Sequence, residues 1–250
     1  MHSLGCKSET ETDATVPLLS DDFPAISRTA PSANAPEPLL NAHRITSSFA
    51  RCPSKARAAI AGKTTPLPPP VIEASTSATI MNRRSRRNFI PCDANTRNLV
   101  DIISMICHDT PPCCTDAIQI GFIASENSGL TPGYHLINRT DRSTTLVKPG
   151  NFMASASRIC LDQEWLENAA LHFVFTADLA ILNKQCGPRS YRYAHLESGR
   201  IGQRIYLSAT AKNLGACGIG AFFDQEATTL LSLPSGHALL YLVAVGHVRK

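Results

Sequence analysis

The chain has 250 residues, 43% of them hydrophobic, and a formal net charge of +4 from 24 basic and 20 acidic side chains. This length allows one well-buried core and a short accessory region. So small and evenly mixed a charge does not indicate a nucleic-acid partner. No apolar run reaches the roughly eighteen residues that would indicate a membrane-spanning helix.

Nine cysteines are present, an odd number at irregular spacing and without a Cys-x-x-Cys pair. Paired cysteines at regular spacing are the signature of a disulfide framework or of a metal site. Their absence predicts reduced thiols, and with them a cytoplasmic protein. The eight histidines are scattered, so no metal ligand set is predicted.

Residues 1–75 differ in composition from the rest of the chain. They are rich in Ser, Thr, Ala and Pro, and end in the proline-rich run from Pro66 to Pro70. Little in this segment repeats at the period of a helix or a strand, so it cannot build a core of its own. We predict a mostly disordered tail that leads into an extended arm, followed by one folded domain over residues 76–250.

The predicted elements of the folded domain begin with a helix capped by Asp93 or Asn95. Its apolar stripe consists of Leu99, Ile102, Ile103 and Ile106. Alternation predicts a strand from Ala117 to Ile123 and a hairpin from Gly129 to Val147. The next predicted elements are helices over 152–160 and 163–169 and a buried strand over 171–175.

The longest predicted helix runs from Tyr191 to Asn213. Its apolar and small residues occupy most of its circumference, which is typical of a fully buried helix. A Gly-rich turn follows, with Gly215 as the helix C-cap, and then a central strand over 239–245. Because helices and strands interleave without a strict strand–helix period, an α+β layered fold is predicted.

A cluster of arginines precedes the first long helix, in the run from Arg83 to Phe89. Arginine forks bind phosphate bidentately, and the hydroxyl of Ser85 within the run adds a donor. The alternative is a solvated basic face. The position of the run at the entry to the folded domain favours an anion site.

The Gly-rich string from Leu214 to Phe222 is the second chemical signal. Its small residues allow backbone amides to approach a flat ring closely, as flavin sites require. With the arginine cluster it resembles the flavin-binding framework of the nitroreductase family, and within it the SagB-type dehydrogenase branch. The resemblance covers roughly residues 66–250. It implies a three-layer fold with a central, mostly antiparallel sheet.

The resemblance also implies FMN as the cofactor and assigns residues to it. Those implied to hold the phosphate and ribityl chain are Arg83, Arg84, Ser85 and Arg87. Those implied to line the isoalloxazine ring are Gly218, Ile219, Gly220 and Ala221. Arg249 is implied to return a basic side chain to the phosphate. Gln163 is implied to face the flavin, although a capping role for Asp162 explains the same local polarity equally well.

Two departures from the family pattern concern the catalytic residues. Residues 111–118 lack the family's serine and aromatic–proline pair, and leave Cys113 and Thr115 as candidates to contact the flavin. The Lys-Tyr pair of the azoline-oxidising members is also absent. Lys184, one position away from the expected lysine, and Tyr191 are the candidates to replace it as a base.

These observations predict an FMN-dependent oxidoreductase that forms a homodimer with flavin at the subunit interface. One version dehydrogenates azolines in a modified peptide. The other uses NAD(P)H as co-substrate to reduce a small nitro or quinone compound. The rival from another class is a catalytically silent scaffold subunit of the same fold. A nucleic-acid binder is disfavoured, because neither interleaved aromatics nor a broad basic stripe is present.

Overall fold

The structure, a computed structural model, describes residues 63–68, 77–107 and 117–249. The chain divides into two units, Met1–Pro53 and Ser54–Lys250, and all described residues lie in the second. The predicted tail over 1–75 therefore lies almost wholly outside the described residues, and its boundary stays a prediction. Within the described ranges, no helix is long and apolar enough to cross a membrane.

The centre of the fold is one seven-stranded sheet in the order β1-β4-β3-β2-β5-β7-β6. All its strand pairs are antiparallel. The strands are β1 (Thr64–Pro66), β2 (Ile118–Ala124), β3 (Gly133–Asn138), β4 (Ser143–Pro149), β5 (Leu171–Asp178), β6 (Gly215–Ile219) and β7 (His237–Gly246). Strand β1 lies in the predicted arm and pairs with β4, so the sheet includes part of that arm.

Six helices accompany the sheet in the described ranges. They are α1 (Ser77–Asn82), α2 (Thr96–Cys107), α3 (Met153–Ile159), α4 (Leu179–Cys186), α5 (Ser190–Ala211) and α6 (Asp224–Leu231). Short 3₁₀ turns cover Glu126–Ser128, Glu164–Asn168 and Gly187–Arg189. The predicted helix over 163–169 is thus only a 3₁₀ turn, and α1, α4 and α6 were not predicted.

Two hydrophobic clusters lie on opposite faces of the sheet. Apolar side chains of α2 and α5 pack on one face, against residues such as Phe122 and Phe173. Those of α3, the 164–168 turn and α6 pack on the other, against Val174 and Leu242. Helices therefore cover both faces of an antiparallel sheet, which confirms the predicted α+β, three-layer fold.

Helix α2 follows its sequence pattern closely. The four side chains of its predicted stripe are at most 1% exposed, and the cap is Asn95, whose Oδ1 accepts a hydrogen bond from the Arg97 amide at 3.0 Å. The same helix carries the carboxylate of Asp101, which pairs with Lys212 Nζ at 3.0 Å while both side chains are 8% exposed. This buried ion pair ties α2 to the residue that follows α5.

Helix α5 differs from the prediction of an all-round buried helix. Ile201, Ile205 and Ala209 are fully buried, but Leu196 is 73% exposed and Tyr193 is 46% exposed. The side chains of Ile201, Ile205 and Ala209 belong to the core cluster on one face of the sheet. The side chain of Leu196 is not covered by any described residue. One side of α5 is therefore buried and the other exposed, although apolar residues occur on both sides.

The Gly-rich string also differs from its prediction. Residues Gly215–Ile219 form strand β6 rather than a turn, paired with β7 from Gly215↔Gly246 to Ile219↔Leu242. The C-terminus of α5 instead uses Asn213, which adopts a left-handed conformation at φ 56°. Tertiary pairing with β7 overrides the weak strand propensity of glycine.

The cysteines depart in part from the expected reduced state. Cys92, Cys107, Cys160 and Cys217 are free thiols, but Cys186 is disulfide-bonded. Irregular spacing gave no indication of this bond, because the pairing of cysteines cannot be deduced from sequence alone.

His172 on β5 is a fully buried histidine that predicts a specific pH dependence. Its Nε2 donates to the Leu166 carbonyl at 2.9 Å, whereas Nδ1 has no partner. Burial lowers the pKa of His172 from 6.5 to about 4. Between pH 6.5 and 4, His172 is therefore protonated in the unfolded chain but neutral in the folded chain, so the free energy of unfolding falls as the pH drops through this range.

We expect this histidine to remove about 3 kcal/mol of the free energy of unfolding across that pH range. Urea unfolding of the wild type and of His172→Leu at pH 7.5, 6, 5 and 4.5 measures it. The variant's curve should be flatter by that amount, whatever its stability at neutral pH. Identical pH slopes for the two proteins would show that His172 accepts the proton when folded.

Candidate functional site

The outer edge of β6 is covered by the arginine-rich segment. Ser85 and Ala216 form a parallel bridge, and the Arg86 amide donates to the Ala216 carbonyl at 2.9 Å. Farther along, Phe89 bridges Val248 in antiparallel fashion. The two motifs, which are 130 residues apart in the chain, thus run side by side at one edge of the sheet.

Every second residue of the arginine-rich segment contacts the cluster formed by Tyr206 and Cys217. The Arg83 guanidinium lies over the Tyr206 ring, 5.5 Å from its centroid. The Ser85 hydroxyl hydrogen-bonds to the Tyr206 hydroxyl at 2.9 Å, and Arg87 lies beside the Cys217 thiol. This spacing of two is the repeat of an extended chain, and it sets Arg83, Ser85 and Arg87 together along β6.

Arg84 is placed differently from its neighbours. Its Nη1 donates to the carbonyls of Met81 and Arg83, at 2.8 and 2.9 Å, and so caps the end of α1. Lysine and arginine side chains commonly bind the last carbonyls of a helix in this way. Part of the predicted donor set is therefore used within the protein.

Tyr206 connects the two motifs, and sequence reasoning missed it. It lies on α5, is 7% exposed, and its hydroxyl accepts a hydrogen bond from the Gly218 amide at 2.5 Å while contacting Ser85 Oγ. A tyrosine late in a helix carries no motif of its own. The only signal was its position one turn after Gly202 on the face that packs against β6 and β7.

Electrostatics keep the neighbouring groups of this cluster neutral. Burial raises the pKa of Cys217, against the opposing effect of the adjacent Arg87 and of the Tyr206 hydroxyl. Burial also raises the pKa of Tyr241 to about 12, with further contributions from Tyr206 and Cys217. The net charge on this edge therefore comes from the guanidiniums, and it is positive.

The four residues predicted to line a ring divide into two pairs. A Cβ on Gly218 would lie 1.8 Å from Tyr241 Oη, so this glycine is required by packing inside the protein. The Ile219 side chain is buried in the core at 5% exposure. Gly220 and Ala221 are exposed, and a Cβ on Gly220 would meet nothing within 4 Å. Open space next to β6 thus begins at Gly220.

The C-terminal strand returns Arg249 to the same edge. The Arg249 amide donates to the Asn88 carbonyl at 3.1 Å, and Asn88 Nδ2 donates to the Arg249 carbonyl at 2.5 Å. These bonds hold Arg249 beside the residue that follows Arg87. Its side chain is exposed, and Arg249 adds a third guanidinium to those of Arg83 and Arg87 in this part of the protein.

No contact joins the remaining described candidates, which are Gln163, Lys184 and Tyr191, to this edge. Gln163 Nε2 donates to the Cys160 carbonyl at 2.7 Å, within its own turn, and no capping bond from Asp162 supports that turn. Lys184 and Tyr191 are exposed near the start of α5. Tyr191 lies 15 residues from Tyr206 on one helix, about 22 Å at the helical rise. Cys113 and Thr115 lie outside the described residues.

The arrangement suits an anion attached to a flat, uncharged body. The guanidiniums of Arg83 and Arg87, with the Ser85 hydroxyl, offer charged and neutral donors to a phosphate. A Cβ on Gly220 would meet no described atom within 4 Å and Ala221 is exposed, so no described side chain fills the space next to Gly220. FMN combines these two features, so the residues present fit it. Among the described residues, no group of three or more His, Cys, Asp or Glu could hold a metal ion.

We expect Gly220→Val to weaken FMN binding by about tenfold or more, because its methyl groups enter that space. Its effect on the ligand-free protein should stay within about 0.5 kcal/mol, as for other exposed substitutions. Flavin fluorescence titration and thermal unfolding measure the two effects, with Gly220→Ala as an intermediate step. Unchanged FMN affinity in the valine variant would remove Gly220 from the binding site.

Comparison with known proteins identifies the same architecture. Residues 134–247 match the family model described as "Nitroreductase family". A protein of Methanocaldococcus jannaschii named "Putative nitroreductase MJ1384" is 32% identical over 80 residues, which are 32% of this chain and 40% of the relative. The chain thus spans well under two thirds of that relative.

Solved structures share the fold. A "putative nitroreductase" from Anabaena variabilis matches 75% of this chain and 42% of its own, with 25% identity and a TM-score of 0.69. One from Ralstonia eutropha matches 75% of this chain and 90% of its own, with 15% identity and a TM-score of 0.60. The NADPH:FMN oxidoreductase of Vibrio harveyi, complexed with NAD⁺, matches 71% of this chain and 70% of its own, with 18% identity and a TM-score of 0.53. The predicted nitroreductase-like fold is confirmed, whereas these comparisons do not distinguish a SagB-type branch, which stays a prediction.

Proposed function

We propose that this chain, which carries the nitroreductase fold, is an FMN-binding oxidoreductase. The observation that carries the proposal is the meeting of Arg83, Ser85 and Arg87 with β6 around Tyr206. That meeting joins an anion-binding segment to a strip with open space for a ring. The Anabaena match, at 25% identity, supports it.

The protein residues divide the binding between them. Arg83, Arg87 and Arg249 supply positive charge for the phosphate, and Ser85 supplies a neutral donor. Gly220 and Ala221 form the floor beside the ring. Bound FMN would supply the two-electron chemistry. The arginine and serine side chains of this edge would bind and orient it.

The proposal includes a homodimer with a flavin at the subunit interface. The exposed face of α5 supports it, because Tyr193 and the 73%-exposed Leu196 form an apolar surface that nothing in the described chain covers. A second copy packed on this face would bring the starts of two α5 helices together. Size-exclusion chromatography with light scattering measures the mass directly.

We favour NAD(P)H as the electron donor and a nitro or quinone compound as the acceptor. A dehydrogenase acting on azolines needs a base near the ring, whereas Tyr191 lies about 22 Å along α5 from Tyr206 and Lys184 lies on α4. The Vibrio harveyi protein of this fold is named for NADPH and FMN. Azoline dehydrogenation, suggested by the SagB-type resemblance, is the alternative. A cytoplasmic location, where reduced nicotinamides are available, belongs to the proposal.

Anaerobic mixing of the FMN-loaded protein with NADH, NADPH or an azoline-containing peptide tests the proposal. Rapid bleaching of the flavin absorbance by a nicotinamide is the expected result. If only the azoline-containing peptide bleached the flavin absorbance, the protein would be an azoline dehydrogenase and not a nicotinamide-dependent reductase. Bound FMN that neither compound bleaches would favour the silent scaffold, and failure to bind FMN would overturn the proposal altogether.

A further inference from the structure

We propose that Tyr206 is a positioning residue that orients the Ser85 hydroxyl as a hydrogen-bond donor to the FMN phosphate. This inference rests on the proposed function. It assigns a task to a side chain that lies behind the phosphate-binding segment and reaches its ligand only through Ser85. Tyr206 is buried at 7% exposure, whereas Ser85 and Arg87 are exposed at the surface.

The direction of the hydrogen bonds follows from their chemistry. The Gly218 amide can only donate, so the Tyr206 oxygen accepts from it at 2.5 Å. The tyrosine still has its own proton, and the Ser85 oxygen stands 2.9 Å away. When that proton goes to Ser85, the serine accepts at its oxygen and its own proton is left to point away from Tyr206.

The thiol of Cys217 is the competing acceptor for the Tyr206 proton. Burial raises the pKa of Cys217, so the thiol is protonated at neutral pH. A protonated thiol is a weak hydrogen-bond acceptor, whereas a hydroxyl oxygen is a good one. The Tyr206 proton therefore goes to Ser85, and the chain Gly218–Tyr206–Ser85 has one direction, outward from β6.

The same ring sets the charged neighbours of Ser85. The Arg83 guanidinium stacks over Tyr206 at 5.5 Å from the ring centroid, in the range of a cation–π contact. Arg87 is held on the other side of Ser85 by Cys217. The serine proton thus points out between two guanidiniums, which is where a phosphate oxygen would meet all three donors.

The test compares FMN with riboflavin, which has the same ring and ribityl chain but no phosphate. Dissociation constants of both ligands are measured for the wild type, Tyr206→Phe, Ser85→Ala and the double variant. We expect Tyr206→Phe to weaken FMN binding about tenfold and to leave riboflavin binding unchanged. In the double variant, the preference for FMN over riboflavin should equal that of Ser85→Ala, because both substitutions remove the same hydrogen-bond donor to the phosphate.

Two results would overturn the inference. Equal weakening of FMN and riboflavin in Tyr206→Phe would make the tyrosine a purely structural support of β6. Losses that multiply in the double variant would show that Tyr206 acts independently of Ser85. If Tyr206→Phe does not fold, Tyr206→Met, which also lacks the hydroxyl and adapts its shape to a core, is compared with Tyr206 in an Arg83→Ala background, where loss of the ring beneath Arg83 no longer enters the comparison. Failure of the wild type to prefer FMN would count against the proposed function itself.

Discussion

Replacing Arg83 and Arg87 together with alanine is expected to weaken FMN binding at least about 100-fold, and the variant should purify almost free of flavin. Each guanidinium contributes a charge-assisted hydrogen bond worth roughly 1.5–3 kcal/mol, and 1.4 kcal/mol corresponds to about tenfold in affinity. Arg87 is exposed and Arg83 is half-buried over the Tyr206 ring, so thermal unfolding of the variant is measured alongside to separate lost stability from lost binding. Isothermal titration calorimetry at fixed, low ionic strength measures the change.

Two control variants sharpen this prediction. Arg97→Ala removes the same charge from an exposed position on α2 and should leave FMN binding unchanged. Arg84→Ala should have a smaller effect than either Arg83→Ala or Arg87→Ala, because its Nη1 is already bound to the end of α1. If the double variant keeps its full flavin content, or if Arg84→Ala is the most damaging change, the phosphate assignment is wrong.

The largest expected effect on stability comes from the ion pair that joins α2 to the end of α5. Asp101→Ala leaves the Lys212 ammonium at 8% exposure without its carboxylate. Removing one member of a buried pair costs about 3–5 kcal/mol, because the remaining charge is desolvated and unpaired. Urea unfolding should show a loss of this size in the free energy of unfolding.

The exposed pair between Arg158 and Glu226 is the matched control. Its side chains are 73% and 46% exposed, and Glu226→Gln should cost less than about 1 kcal/mol. The double variant Asp101→Leu/Lys212→Met should recover most of the stability, because an apolar pair leaves no buried charge. A loss below 1 kcal/mol in Asp101→Ala would show that water reaches Lys212.

The elements with local, strongly periodic patterns could be predicted from the sequence. Helix α2, strands β2 and β5 and the β3–β4 hairpin lie within a few residues of their predicted bounds. Their apolar side chains repeat at the period of one structure only. The arginine cluster could also be recognised, because four guanidiniums and one hydroxyl lie within a single short segment at the entry to the folded domain.

The errors come from contacts between distant residues. The string from Gly215 to Ile219 is a strand only because β7 pairs with it, and glycine itself favours a turn. The face of α5 that bears Leu196 is exposed although its composition is typical of a buried face, because composition alone does not indicate which side of a helix the rest of the chain covers. Tyr206 belongs to the site through bonds to Ser85 and Gly218, which are 121 and 12 residues away; no local pattern contains that information.

The catalytic candidates illustrate the same limit. Lys184 and Tyr191 were chosen because of their position relative to a family motif. The fold places Tyr191 in the first turn of α5, 15 residues from Tyr206, and Lys184 on the preceding helix, α4. Spacing along a sequence can suggest a base, but only the path of the helix decides which ligand that base can reach.

The central claim is that the edge formed by β6 and the segment from Arg83 to Arg87 binds the phosphate of FMN. Titration of the wild-type protein with FMN and with riboflavin, at the same low ionic strength, tests it most directly. The account predicts that FMN binds at least about 100-fold more tightly, and that added salt narrows this difference because the guanidiniums are exposed. Equal affinity for the two flavins, or binding of neither, would contradict it.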